Sequence, residues 1–212
     1  ADGYFQSQEE IDMADCVYGG NKANIKPGYI RYVDVNHDGE INSKDRVILG
    51  NSTPRYEYSF TLGGQWKGID LSLFFQGVGK RDLYYSGAGA RPLVQNSTIF
   101  KSQLDTWSPE NPDAEYPLLL VDAGSTNMNN IVSSFWIKSG AYLRLKNLTV
   151  GYTLPKKWTN RVSIDNLRLY FTASNLFTIN NGYKGYDPET GVTSGAMYPV
   201  MKTFNFGVNL TF

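Results

Sequence analysis

TFNFGVNLTF, residues 203–212, alternates apolar and polar side chains from one position to the next. Phenylalanine, valine and leucine occupy the even-numbered positions after Thr203, and threonine, asparagine and glycine occupy the odd-numbered ones. Successive side chains of a β-strand point to opposite faces, so this period of two predicts a strand with one apolar and one polar face.

Two earlier segments, Tyr56–Trp66 and Ile69–Gln76, carry the same alternation and are separated only by Lys67 and Gly68. Two long strands joined by so short a connection are typical of a β-hairpin. The polar stretch 77–139, rich in glycine, asparagine, serine and proline, follows. We predict that it is a long loop, a kind of segment that is usually functional or disordered.

The alternation returns in Tyr142–Leu154 and again from about Leu167 to Leu176. The parity of the apolar positions changes near Asn147, which predicts a β-bulge there, since one extra residue reverses the faces of a strand. A second loop rich in glycine and asparagine, residues 179–196, leads to the last strand.

Five such strands fit two environments. In a soluble β-sandwich the apolar face packs on a second sheet, and strands usually run about 5–6 residues. In an outer-membrane barrel the apolar face meets lipid, and strands need about 9–11 residues. The strand lengths, the alternation of short and long connections and the aromatic residues at strand ends all favour the barrel. The sequence therefore predicts an all-β chain of transmembrane antiparallel barrel strands, with the soluble sandwich as the alternative.

Composition excludes several other classes. Lys+Arg 20 balance Asp+Glu 20, and no basic cluster offers a surface for nucleic acid. The longest aliphatic run, Leu118–Val121, is far shorter than the roughly 18 residues of a membrane-spanning helix. Cys16 is the single cysteine and His37 the single histidine, which excludes an intramolecular disulfide and leaves histidine-dependent catalysis with one residue.

The stretch DVNHDGEINSKD, residues 34–45, matches the pattern of an EF-hand or dockerin calcium loop. Oxygen donors at alternate positions suit Ca²⁺, and Gly39 permits the sharp turn around the ion. The expected donors are the side chains of Asp34, Asn36 and Asp38, the backbone carbonyl of Glu40, the side chain of Asn42 or a bridging water, and the carboxylate of Asp45. We expect a structural calcium ion, with Ile41 pointing into a local core; the alternative is a turn that binds no metal.

Catalytic arrangements are not indicated. The pair Asp187 and Glu189 could be imagined as a glycosidase dyad, but nothing in the sequence sets the required separation of two carboxylates. We expect these residues to be solvated loop charges and predict that the chain is not an enzyme.

Several blocks of the chain together resemble one family, the SusC/RagA-like TonB-dependent transporters of the Bacteroidetes outer membrane, in their C-terminal portion. The blocks are Gly3–Ile11, Gly28–Tyr32, the loop Asp34–Asp45, Arg46–Pro54, Tyr142–Pro155, Ala173–Phe177 and the terminal Phe212.

The resemblance implies a barrel of about 22 strands closed by a plug, in the cell outer membrane. It also implies import of oligosaccharides or peptides with a SusD-like lipoprotein and energy from TonB. The partners would then be the remainder of the same barrel and plug, that lipoprotein, TonB, the substrate and the lipid bilayer. The alternative is a secreted, calcium-stabilised β-rich interaction or carbohydrate-binding module, because the loop 34–45 also resembles that of dockerins.

The resemblance implies that residues 1–55 are an extracellular loop region. We expect residues 56–212 to be the last five barrel strands with the long loops 77–139 and 179–196. Exposed aromatic rings can stack on sugars or peptides, so the expected loop contacts are Tyr84, Tyr85 and Trp107, unless these rings pack the loops together. Phe212 is the expected signal for outer-membrane assembly. The residues expected to face lipid are Tyr58, Phe60, Leu62, Leu71, Leu73, Val150, Leu169, Phe206 and Val208.

Overall fold

The computed structural model describes residues 1–87, 92–93, 99–120, 128–160, 163–180, 187–190 and 198–212. The strands in these ranges are β1 (Tyr56–Trp66), β2 (Ile69–Gly79), β3 (Asp82–Tyr84), β4 (Ile137–Ser139), β5 (Tyr142–Thr153), β6 (Asn166–Asn180) and β7 (Thr203–Thr211). The α-helices are α1 (Gln8–Met13) and α2 (Lys156–Thr159). Short 3-10 helices cover Lys22–Asn24, Ser43–Asp45, Lys101–Gln103, Met128–Asn130 and Ser134–Trp136. None of the helices described is long and apolar enough to cross a membrane.

The five long strands form one antiparallel sheet in the order β1-β2-β5-β6-β7. The predicted hairpin is confirmed, with Tyr56 opposite Gly79 and Trp66 opposite Ile69. β6 is longer than predicted because residues 177–180 continue to pair with β5, where Thr178 lies opposite Arg144.

The predicted loop 77–139 is partly wrong, since β2 continues to Gly79 and two short strands, β3 and β4, pair within it. The predicted loop 179–196 begins inside β6. Its residues 187–190 are described, and the remainder of the prediction from residue 181 lies outside the described residues.

The predicted bulge is confirmed one residue before Asn147. Lys146 has no partner in the register of β5 with β2 or with β6, whereas Leu145 and Asn147 pair on both sides. Toward β2, this extra residue keeps the apolar side chains of the two strands level. Toward β6, Asn175 and Leu176 are also left out of the register.

The register keeps one face of the sheet apolar from β1 to β7. One row of opposed residues runs Leu62, Leu73, Leu148, Ala173 and Phe204. All nine residues expected to face lipid lie on this apolar face, and their contact with lipid stays a prediction. The opposite, polar face carries Ser59, Thr61, Gln65, Asp70, Ser72, Thr149, Arg168, Thr172, Asn205 and Asn209.

The long connections meet at one end of the sheet, here called the loop end, and the short turns lie at the other, the turn end. At the loop end, residues 1–55 and the described part of 80–141 pack into one body, here called the loop module. Its core residues are Tyr4, Ile30, Leu83, Tyr85, Trp107, Ala114, Tyr116 and Trp136, with a second cluster of Phe5, Ile11, Val17 and Ile25. Segments on both sides of the predicted boundary at residue 55 therefore share a core.

Candidate functional site

The three aromatic residues expected at the loop surface belong to the core of the loop module. Tyr85 and Trp107 are buried, and Tyr84 packs half-buried against the same cluster. The expectation of an exposed stacking surface is therefore wrong for Tyr85 and Trp107.

Hydrogen bonds satisfy the polar atoms of the two buried rings, Tyr85 and Trp107. The indole Nε1 of Trp107 donates to Gln6 Oε1 at 2.9 Å, and the hydroxyls of Tyr85 and Tyr116 lie 3.2 Å apart. A buried indole or phenol needs such a partner. The partner of Trp107 lies 101 positions away in the chain, so no local pattern could have indicated its burial.

The loop 34–45 is organised by its own carboxylates. Asp34 accepts hydrogen bonds from the backbone N–H groups of His37 and Gly39, at 2.7 and 2.8 Å. Gly39 has φ +87°, a left-handed conformation that glycine adopts without strain. Asp45 accepts from Asn42 N–H at 2.7 Å and thereby closes the loop.

Two carboxyl groups of the loop, those of Asp45 and Asp38, have a lowered pKa, which favours their charged form. The N–H donors of Asn42, Val35 and Asn36 lower the pKa of Asp45. The side chains of Asn36 and Lys44 lower the pKa of Asp38. A charged carboxylate accepts these bonds better than a protonated one, so the loop geometry favours ionised donors.

The calcium prediction is not tested by this geometry. Ile41 is buried, as expected, and forms an isolated parallel bridge with Tyr18. All the expected side-chain donors are oxygens, which suits Ca²⁺. However, within the ranges that the structure covers, no three His, Cys, Asp or Glu side chains are gathered so that they could hold a metal ion. Calcium binding at Asp34, Asn36, Asp38, Glu40, Asn42 and Asp45 therefore stays a prediction.

The polar face carries an ion pair near the turn end. Arg168 on β6 donates from Nε and Nη2 to Asp70 on β2, at 2.9 and 2.6 Å. Its guanidinium also lies over the ring of Tyr170, 5.2 Å from the centroid. The polar face thus presents fixed charges and an aromatic ring among hydroxyl and amide groups, a surface suited to polar ligands in water.

The expectation of solvated charges at Asp187 and Glu189 is wrong. Asp187 pairs with Arg144, and Glu189 pairs with both Arg144 and Lys146. No motif in the sequence singles out the two cations. The alternation of β5 does place both on its polar face, but their partners lie more than 40 positions away.

Phe212 follows the last residue of β7 and is exposed. Its expected role as an assembly signal stays a prediction.

No family model matches the chain. Among characterised proteins, it is 33% identical over 205 residues to TonB-dependent receptor P3 of Formosa agariphila, covering 88% of this chain and 19% of that protein. It is 29% identical over 192 residues to TonB-dependent receptor SusC of Bacteroides thetaiotaomicron, covering 89% of this chain and 18% of that protein. The chain thus spans about a fifth of the length of these relatives.

Solved structures of the RagAB peptide importer have the same fold. The closed-closed state matches with a TM-score of 0.62 and 26% identity over 84% of this chain and 20% of that one. The open-open state matches with a TM-score of 0.59 and 27% identity over 78% of this chain and 18% of that one. These relatives are receptors and importers rather than enzymes. The chain is therefore homologous to the SusC/RagA-like TonB-dependent receptors and corresponds to a segment of their antiparallel outer-membrane β-barrel.

Proposed function

We propose that the chain supplies barrel wall and extracellular loops to an importer that works with a SusD-like surface lipoprotein and receives energy through TonB. The observation that carries this proposal is the continuous register, which keeps one face of all five long strands apolar and the other polar. Such a sheet fits a position between lipid and a water-filled lumen. The rest of the barrel, of about 22 strands with a plug, would complete the pathway.

The proposed substrates are oligosaccharides or peptides. The hydroxyl, amide and charged groups of the polar face can hydrogen-bond either class. The likeness to the RagAB peptide importer supports peptides as the substrate. The likeness to SusC supports a transport role but names no substrate.

The secreted-module alternative is less well supported. Large apolar side chains such as Phe206, Leu62 and Val208 are exposed along the apolar face. A contiguous apolar surface of this kind is unfavourable in water and is expected of a membrane or partner contact.

We further propose that the loop module is extracellular and that the loop 34–45 within it binds a structural calcium ion. The long connections at the loop end support the first point, because such barrels place long loops outside the cell. The spacing of oxygen donors, with Gly39 at the turn and Ile41 in the core, supports the second.

The function can be tested with the full-length receptor that contains this segment, expressed in a strain that lacks its own copy of the receptor. Uptake of a labelled peptide mixture and of labelled oligosaccharides should be measured separately, with a TonB-deficient strain as the control. We expect TonB-dependent uptake of one class and co-purification of a surface lipoprotein. Uptake of neither class, or recovery of the receptor outside the outer membrane, would contradict the proposal.

A further inference from the structure

Near the loop end, the turn Asp187–Thr190 of the connection between β6 and β7 lies against the polar face of β5. Both oxygens of Asp187 accept from Arg144 Nη2 at 2.6 Å, and Arg144 Nη1 donates to Glu189. Lys146 Nζ donates to both oxygens of Glu189, at 2.6 and 2.8 Å. The two carboxylates of one turn are thus bound by two cations of one strand.

The strand presents these cations together because of its local geometry. Arg144 and Lys146 are two positions apart, a spacing that directs both side chains to the polar face. Lys146 is the bulged residue, and Asn147 then resumes the pairing with both neighbours.

The turn is itself shaped to fit. Asp187 accepts the backbone N–H of Glu189 at 2.9 Å and, through its carbonyl, the hydroxyl of Thr190 at 3.0 Å. These bonds direct both carboxylates of the turn to the same side. Arg81 lies in the connection that follows β2. Its Nη1 donates to the carbonyl oxygen of Pro188 at 3.3 Å and adds a contact between the two long connections.

Burial makes this contact difficult to open. The side chain of Arg144 is only 3% exposed, and its Nε donates to Thr178 Oγ1 at 2.7 Å. The remaining donors of the guanidinium are directed to Asp187 and Glu189. Removing the partner of a buried charge is strongly destabilising because the charge then remains without compensation. Lifting the turn off β5 would separate Arg144 from both carboxylates.

We propose that Arg144 and Lys146 are positioning residues that hold the Asp187–Thr190 turn against the lumen face of the barrel near its extracellular opening. The turn thereby forms part of the substrate pathway. The inference rests on the proposed function, because only in a transporter does the polar face line a pathway. Arg144 anchors the turn through Asp187, and Lys146 fixes its second half through Glu189.

The test uses the full-length receptor in lipid nanodiscs and compares Asp187→Asn/Glu189→Gln, Arg144→Gln and the combination of all three changes. Glu110→Gln is the matched control, since Glu110 is an exposed loop carboxylate outside the ion pairs of the described residues. Hydrogen exchange at the backbone amides of Glu189 and Thr190 reports opening of the turn, since Pro188 has no N–H. Exchange across β5 and β6 reports the integrity of the sheet.

We expect exchange in the turn to accelerate at least about tenfold in either of the first two variants, with β5 and β6 unchanged. The combined variant should show no acceleration beyond that of Asp187→Asn/Glu189→Gln, because the carboxylate changes already remove the ion pairs with both Arg144 and Lys146. Unchanged exchange in the turn would overturn the proposal, as would equal acceleration throughout the sheet.

A second readout separates positioning from stability. Uptake by each variant should be measured at equal receptor levels in the outer membrane, with Lys146→Arg as a conservative variant that preserves the charge. We expect the first two variants to alter the apparent KM or the maximal rate at least about threefold, and Lys146→Arg to retain wild-type uptake. Wild-type uptake in all variants would overturn the role in the pathway. If the wild-type receptor imports nothing, the proposed function fails while the exchange experiment still decides whether the turn is held.

Discussion

Arg168 reaches Asp70 across an intervening strand, because the residue between them on that strand is Gly151. Gly151 on β5 lies opposite Asp70 on β2, and Tyr170, two residues after Arg168, lies opposite Gly151 on the other side. A Cβ atom at Gly151 would lie 2.3 Å from Asp70 Oδ1 and 2.5 Å from Arg168 Nη2. The absent side chain therefore provides the space in which the ion pair forms.

We predict that Gly151→Ala separates Arg168 from Asp70 and lowers the stability of the full-length receptor, because hydrogen bonds between charged groups are lost. The measurement is the denaturant midpoint in detergent or nanodiscs. Asp70→Asn should have a similar effect, and the double variant should be less destabilised than the sum of the two.

Gly64→Ala is the matched control for this prediction, because no atom lies within 4 Å of a Cβ built at Gly64. Simple additivity of Gly151→Ala and Asp70→Asn would show that the glycine and the ion pair act independently.

The two faces of β2 should tolerate a charge differently. We predict that Leu71→Arg, on the apolar face, impairs assembly far more than Ser72→Arg on the polar face. An arginine near the bilayer midplane costs about 2–4 kcal/mol, whereas a lumen position leaves it hydrated. The amount of heat-modifiable receptor in the outer membrane measures the difference, and equal amounts for both variants would argue that the apolar face does not meet lipid.

Calcium should stabilise the loop module through the loop 34–45. We predict that millimolar calcium raises the thermal midpoint of the module in the full-length receptor and that Asp34→Ala/Asp38→Ala removes this rise, because a ligand that binds only the folded state stabilises it. Glu110→Ala serves as a control for the loss of an exposed carboxylate. An anomalous-scattering map from crystals in calcium buffer that lacks an ion at this loop would refute the assignment.

The same loop should respond to acid when calcium is removed. The backbone donors of Asn42, Val35 and Asn36 lower the pKa of Asp45 in the folded loop below the ordinary value of about 3.9. The folded state therefore binds fewer protons than the unfolded state near that value. The contribution of Asp45 to stability is complete above about pH 3.9 and is lost as the pH falls through the lowered pKa.

The measurement is the titration of aspartate carboxyl signals by nuclear magnetic resonance in a selectively labelled receptor. We expect a midpoint below the ordinary value that disappears in Asp45→Asn. An unshifted titration of every aspartate would contradict the hydrogen bonds that close the loop.

Local geometry explains what the sequence determined. The period of two arises from the strand itself, so alternation alone indicated the β1–β2 hairpin, the bulge beside Asn147 and the residues that share the apolar face. The calcium-loop pattern is equally local, and the burial of Ile41 agrees with it.

Only the tertiary structure decided which distant groups meet. Trp107 is buried against Gln6, Asp187 binds Arg144, and Gly151 makes room for an ion pair between two other strands. These contacts depend on strand register and on where long connections return to the sheet. Neither has a periodic signature in the residues concerned, so the same aromatic and charged side chains could equally have been exposed. The folded chain decides between these states because it alone brings each buried polar group to the partner that offsets its loss of water.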